Sequence, residues 1–258
     1  MWRKKTDKRI TAAGIAIAAA IIAYGAWKDL HPLLQPQVKA ASFTSYKMLH
    51  DVKDPAALAK DQTSSFIFPI GEIKGDDGVF VPSSLKPVSL PQQETVLLLT
   101  LDKVPSHFSP VYDSLREPVK AWSRSGSLVN DVFIDYSENP PDLDRIGPFT
   151  SGLRAYLQRQ YWIILGVRRT ALPFSQENRT KLANMLKGIE FIVYRMEDVE
   201  KTGETLGQTI TRIDKEGLPF LLRVKALPDY DALKKELPEG KQNFSGFVLG
   251  QQPSDKTE

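Results

Sequence analysis

The chain has 258 residues, with 34 Lys+Arg against 31 Asp+Glu, and its lack of cysteine excludes disulfides, thiol catalysis and thiolate metal sites. Its three histidines, His31, His50 and His107, are too few for a histidine-rich metal centre, so no metal is expected. Five of the basic residues lie in the first 27 positions and only Asp7 opposes them, which leaves 29 basic against 30 acidic residues in the rest. That remainder is nearly neutral and gives no reason to expect nucleic acid as a partner.

The basic cluster Arg3, Lys4, Lys5, Lys8 and Arg9 runs into an uncharged stretch from Ile10 to Trp27. At about 1.5 Å per residue such a helix reaches about 27 Å, close to the roughly 30 Å of a hydrocarbon core. Small residues that could mark a cleavage site, Ala23 to Gly25 or Val38 and Ala40, are poorly placed, and Trp27 suits the interface. Residues 1–27 therefore read as a cytoplasmic basic flank and signal anchor, with secretion after cleavage as the alternative. The expected setting is a bacterial inner membrane crossed once, with the C-terminal domain periplasmic.

Residues 28–62, punctuated by Pro32, Pro36 and Pro55, read as a stalk with a helix near 46–60. A domain follows at 63–250, and the polar tail 251–258 reads as disordered. Within the domain, apolar runs at 66–70, 96–101, 132–136, 161–167, 191–194, 220–224 and 244–249 are continuous rather than alternating, as in strands buried on both faces. Between them, Val111, Leu115, Val119 and Trp122 share one helical face. Leu143, Ile146, Leu153 and Leu157 share another, as do Leu206, Ile210 and Ile213. Asp142 can open the second of these helices.

Strand and helix alternating in this way imply right-handed crossovers and a parallel sheet. Seven strands, with an eighth near 79–81 or 85–88, predict an α/β fold, a TIM-like parallel barrel, with Leu98, Ile134, Ile164, Ile192 and Leu222 inside. No cofactor is implied: Gly71 and Gly75 are followed by Asp76 and Asp77, which would repel a pyrophosphate.

In such a barrel the site is built at the carboxyl ends of the strands. The acids there are Glu72, Asp102, Asp135, Glu138, Glu197 and Asp198. Tyr136, Tyr194, Arg168, Arg195 and Arg223 occupy comparable ends. A carboxylate pair with tyrosine and arginine to orient hydroxyls is what glycoside hydrolysis requires, so Asp135, Glu138 and Glu72 are the catalytic candidates and Asp102, Tyr136, Tyr194, Arg195 and Arg168 the substrate-binding ones. Carboxylates at strand ends also cap helices and pair with arginines. Asp135 stands apart because it interrupts an apolar run, and a buried carboxylate needs a partner such as Arg168.

Gly71-Glu72, the segment from Leu99 to Asp102, the strand ending in Asp135 and Tyr136, the helix carrying Leu153 and Arg154, and Thr170 to Pro173 together resemble the bacterial family called domain of unknown function 3142, over roughly residues 66 to 200. The resemblance implies a glycosidase-like barrel without an established activity, with Glu72, Asp102 and Asp135 at its mouth. Ser137, Phe133 and Thr100 depart from that family's polar pattern. Two expectations follow: a membrane-tethered, glycosidase-like enzyme acting on an envelope polysaccharide, or a non-catalytic barrel binding glycan or an envelope protein.

Overall fold

The computed structural model describes residues 43–49, 52, 58, 65–168, 175–201, 203–238 and 243–250. The expected anchor at 1–27, most of the expected stalk and the tail at 251–258 lie outside them. No helix among the described residues is long and apolar enough to cross a membrane.

Every apolar run singled out in the sequence is a strand. They are β2 (Ser65–Lys74), β4 (Glu94–Leu101), β5 (Leu128–Tyr136), β6 (Trp162–Val167), β7 (Ile189–Arg195), β8 (Phe220–Val224) and β9 (Phe244–Leu249). Two further strands, β1 (Thr44–Met48) and β3 (Val79–Pro82), complete the set among the described residues. The sheet order is β1-β9-β8-β7-β6-β5-β4-β2, and β1 also pairs with β2, so eight parallel strands close into a TIM-like barrel.

Two expectations need correction. The strand at 79–82 exists, but it lies antiparallel against the upper half of β2 and is not a stave of the barrel. The eighth stave is β1, inside the segment read as stalk and helix, so the compact unit begins at Phe43 rather than at residue 63. The physical reason is composition. Only Tyr46 and Met48 are buried apolar residues in Thr44-Ser-Tyr-Lys-Met48, and they alternate with Ser45 and Lys47, so no apolar run marks the strand.

Helices cover the outside: α1 (Ser109–Arg124), α2 (Leu143–Tyr156), α3 (Gln176–Met185), α4 (Met196–Val199), α5 (Leu206–Asp214) and α6 (Tyr230–Glu236). The apolar faces read from helical spacing turn inward, Leu206 alone among them being only half-buried. Val111, Leu115, Val119 and Trp122 of α1 pack inward, and Trp122 stacks on Phe68 of β2 with ring centroids 4.7 Å apart. Asp142 caps α2 by accepting from the Arg145 amide at 3.1 Å.

Because side chains alternate along a strand, the barrel has two cores. Tyr46, Met48, Ile67, Val96, Leu98, Phe133, Ile164, Val193, Leu221 and Val248 fill the lumen. The alternate residues, among them Ile134, Ile192 and Leu222, join a larger cluster with the helices. Of the five residues expected inside, all are buried, but only Leu98 and Ile164 point into the lumen.

Candidate functional site

Alternation places Asp135 on the lumen face of β5, two residues above Phe133 and level with Gly166 of β6. Arg195 of β7 and Arg223 of β8 lie side by side in register, each two residues above a lumen residue, Val193 and Leu221. All three therefore meet at the floor of the carboxyl-terminal mouth, directly over the packed core. One oxygen of Asp135 accepts from Arg195 Nη2 at 2.8 Å and the other from Arg223 Nη1 at 3.0 Å. The carboxylate is 9% exposed, the guanidinium side chains 23% and 22%.

Two glycines make this possible. Gly166 stands between β5 and β7, and a Cβ there would lie 3.0 Å from the Asp135 oxygen and 2.9 Å from the Phe133 ring. A side chain at 166 would press on the Asp135 oxygen that accepts from Arg195. A Cβ on Gly250, just past β9, would lie 2.7 Å from Arg223 Nε. Glycine within a strand often marks such a close approach.

The other expected site residues do not converge on this floor. Glu72 is at the rim, paired with Lys74 at 3.0 Å, and both side chains are more than half exposed. Asp102 fastens a turn, accepting from the amides of Lys103 at 2.7 Å and Gly75 at 3.1 Å. Tyr136 and Tyr194 point away from the lumen into the core beneath the helices and are fully buried. The Tyr136 hydroxyl donates to Glu138 and accepts from the Asp142 amide at 3.2 Å, which draws Glu138 to the loop leading into α2. Burial, reinforced by the hydrogen bond to Glu138, pushes the Tyr136 pKa up. Arg168 is above the floor and contacts Asp198 at 3.5 Å, and it is not the partner of Asp135.

The constellation present is thus one carboxylate shared by two guanidiniums. Arg223 stands at an expected strand end but outside the candidate set, and Gly166 and Gly250 carried no expectation. The signals for them were the arginine closing an apolar strand and the glycine inside another.

A second buried acid occupies the opposite end of the lumen. Asp131, four residues before Asp135 on the same strand, is 2% exposed, and its Oδ1 has no hydrogen-bond partner among the described residues. Its neighbours are acids. Burial, then Glu190 and Glu94, raise its pKa to about 8, with a hydrogen bond to Glu190 acting in the same direction. Glu94 in turn accepts from the Ser65 hydroxyl at 2.7 Å and from Asn130 at 3.2 Å. Burial and the same three acids push the Tyr46 hydroxyl's pKa up. No group of three His, Cys, Asp or Glu among the described residues has the geometry to hold a metal ion.

No family model matches the chain, and no curated protein does. Of what the resemblance to domain of unknown function 3142 implied, the barrel fold is present, and no family model supports the family itself. Among solved structures, the chain is similar to 2,3-dimethylmalate lyase, a PEP mutase/isocitrate lyase superfamily member. In its triclinic crystal form the identity is 13% and the TM-score 0.47, over 81% of this chain and 75% of that one. The trigonal form gives 14% and 0.45, over 81% and 73%. Similarity to KGPDC from Streptococcus mutans is 11% and 0.44, over 81% and 88%. One barrel fold hosts many unrelated chemistries, so function must be read from the mouth itself.

Proposed function

We propose that this domain is a binding barrel whose mouth takes the carboxylate of a ligand on Arg195 and Arg223. The observation that carries this reading is the sharing of Asp135 between two guanidiniums, which leaves one net positive charge on the barrel floor. A guanidinium offers five N–H donors in a fork that matches carboxylate geometry, so each arginine retains donors beyond those given to Asp135. Asp135 acts here as a positioning residue.

Glycoside hydrolysis is the weaker reading. It needs two carboxyl groups facing each other across a cleft, one to donate a proton and one to attack or act as base. Both oxygens of Asp135 are already occupied by guanidiniums, Glu138 is turned to Tyr136, and Glu72 is at the rim with Lys74. The tether belongs to the same proposal: the basic cluster and uncharged stretch in residues 1–27 support anchoring in a bacterial inner membrane with the barrel on the periplasmic side. The ligand would then be an envelope component.

Calorimetric titration of the full chain with acetate, glucuronate and glucose tests the reading. Acetate and glucuronate should bind and neutral glucose should not. Arg195→Gln and Arg223→Gln should each weaken acetate by tenfold or more. Glucose binding as well as glucuronate, or acetate binding indifferent to both substitutions, would overturn it.

A further inference from the structure

The wall opposite the arginines carries two exposed valines beside the ion pair of Glu72 and Lys74. Above its midpoint β2 pairs with β3, where Glu72 stands opposite Val81 and Lys74 opposite Val79. Residues directly opposed in an antiparallel pair point to the same side. Glu72 is level with Thr100, and Thr100 follows Val96 and Leu98 on the lumen face of β4, so the valines also stand on the lumen side of the hairpin. Ile73 and Phe80 point the other way, into the core under the helices, and hold the hairpin down.

Val79 is 58% and Val81 40% exposed. The other exposed large hydrophobics among the described residues, Leu128 and Trp162, open their strands at the far end of the barrel. The strand order puts β2 four staves from β7 in either direction, so the valines face Arg195 across the mouth. A sugar gains no stacking from Tyr136 or Tyr194, because both expected tyrosines are buried beneath the helices.

We infer that the mouth takes an amphipathic carboxylate, its charged group on Arg195 and Arg223 and its aliphatic chain against Val79 and Val81. This rests on the carboxylate-binding reading above and specifies its ligand class. Charge at the floor and apolar surface at the rim select together for a molecule that carries both, and removing the chain from water supplies affinity in proportion to the methylenes covered.

The test is titration of the full chain with acetate and octanoate, followed by the same pair on the double variant V79S/V81S and on R195Q. Octanoate should bind at least tenfold more tightly than acetate, the worth of about two buried methylenes. In V79S/V81S that ratio should fall toward one, with the melting temperature checked because both side chains are exposed. R195Q should weaken both ligands. Equal affinity for the two acids, a preference that survives V79S/V81S, or octanoate binding indifferent to R195Q would overturn the inference while acetate binding upheld the broader reading. Failure of both acids to bind would remove the two together.

Discussion

Asp131 and Asp135 sit four residues apart on one strand, both facing the lumen and both at least nine-tenths buried, yet they have opposite surroundings. At the mouth, Asp135 meets two guanidiniums through short, charge-assisted hydrogen bonds. At the amino end, Asp131 meets Glu190 and Glu94, and its pKa rises to about 8. Burial alone therefore does not determine what a carboxylate becomes. The charges on neighbouring staves do, and the two ends of this barrel are specialised accordingly: one presents cationic donors to solvent, the other retains a proton.

The largest effect should come from removing the charge of Asp135. Asp135→Asn leaves two guanidiniums side by side with no counter-ion, a loss of about 3 to 5 kcal/mol by analogy with broken buried pairs, read as a fall in melting temperature. A variant as stable as the parent would break the comparison, because Asp135 would then be no better partnered than Asp131.

Asp131→Asn should behave differently, with an effect that depends on pH. A folded-state pKa of about 8 lies above the unfolded value of 3.8, so the folded chain holds the extra proton between them. The stability this group contributes is complete below about pH 4 and is lost as pH rises through about 8. Asparagine mimics the neutral acid, so the variant should melt like the parent under acid conditions and above it at pH 9. Parallel melting profiles from pH 5 to 9 would contradict the proton-holding end.

Gly166→Ala probes the gap beside the Asp135 oxygen that accepts from Arg195. Its Cβ would crowd Phe133 and the Asp135 oxygen, at about 1 to 3 kcal/mol for overpacking a strand interior, measured as a lowered denaturant midpoint. The smallest effect belongs to Glu72→Gln. The pair with Lys74 is exposed on both sides, so stability should change by less than about 0.5 kcal/mol, a null result that keeps the rim distinct from the floor.

Much of the barrel was legible because strands covered on both faces cannot alternate, and unbroken apolar runs survive in the sequence as their trace. The strand β1 left no such trace, since Ser45 and Lys47 interrupt it and its burial depends on neighbours contributed by the far end of the chain. The site was legible at two residues, Asp135 and Arg195, but not as a pair, and Arg223 stood outside the expected set. Asp135 announced itself as an acid within an apolar run, but its partners lie 60 and 88 positions away, and no local pattern ties them to it. Glu138 and Tyr136 misled for a simpler reason. One step along a strand reverses the direction of a side chain, so the tyrosine next to Asp135 faces the helices and takes Glu138 with it.

The position of β1 between β9 and β2 has a consequence for biosynthesis. The first stave to leave the ribosome must wait for the last before its second edge is paired, so the sheet remains open until nearly the whole chain is made. Until then the free edge of β1 and the newest strand of the growing sheet present unpaired backbone to whatever lies nearby, the condition under which parallel sheets are most prone to aggregate. A shortened chain that begins at residue 63 would never leave that state, since the stave that closes the ring would be missing. The lower limit of a foldable fragment is thus set by Phe43 and the strand behind it, well before the first apolar run of the domain.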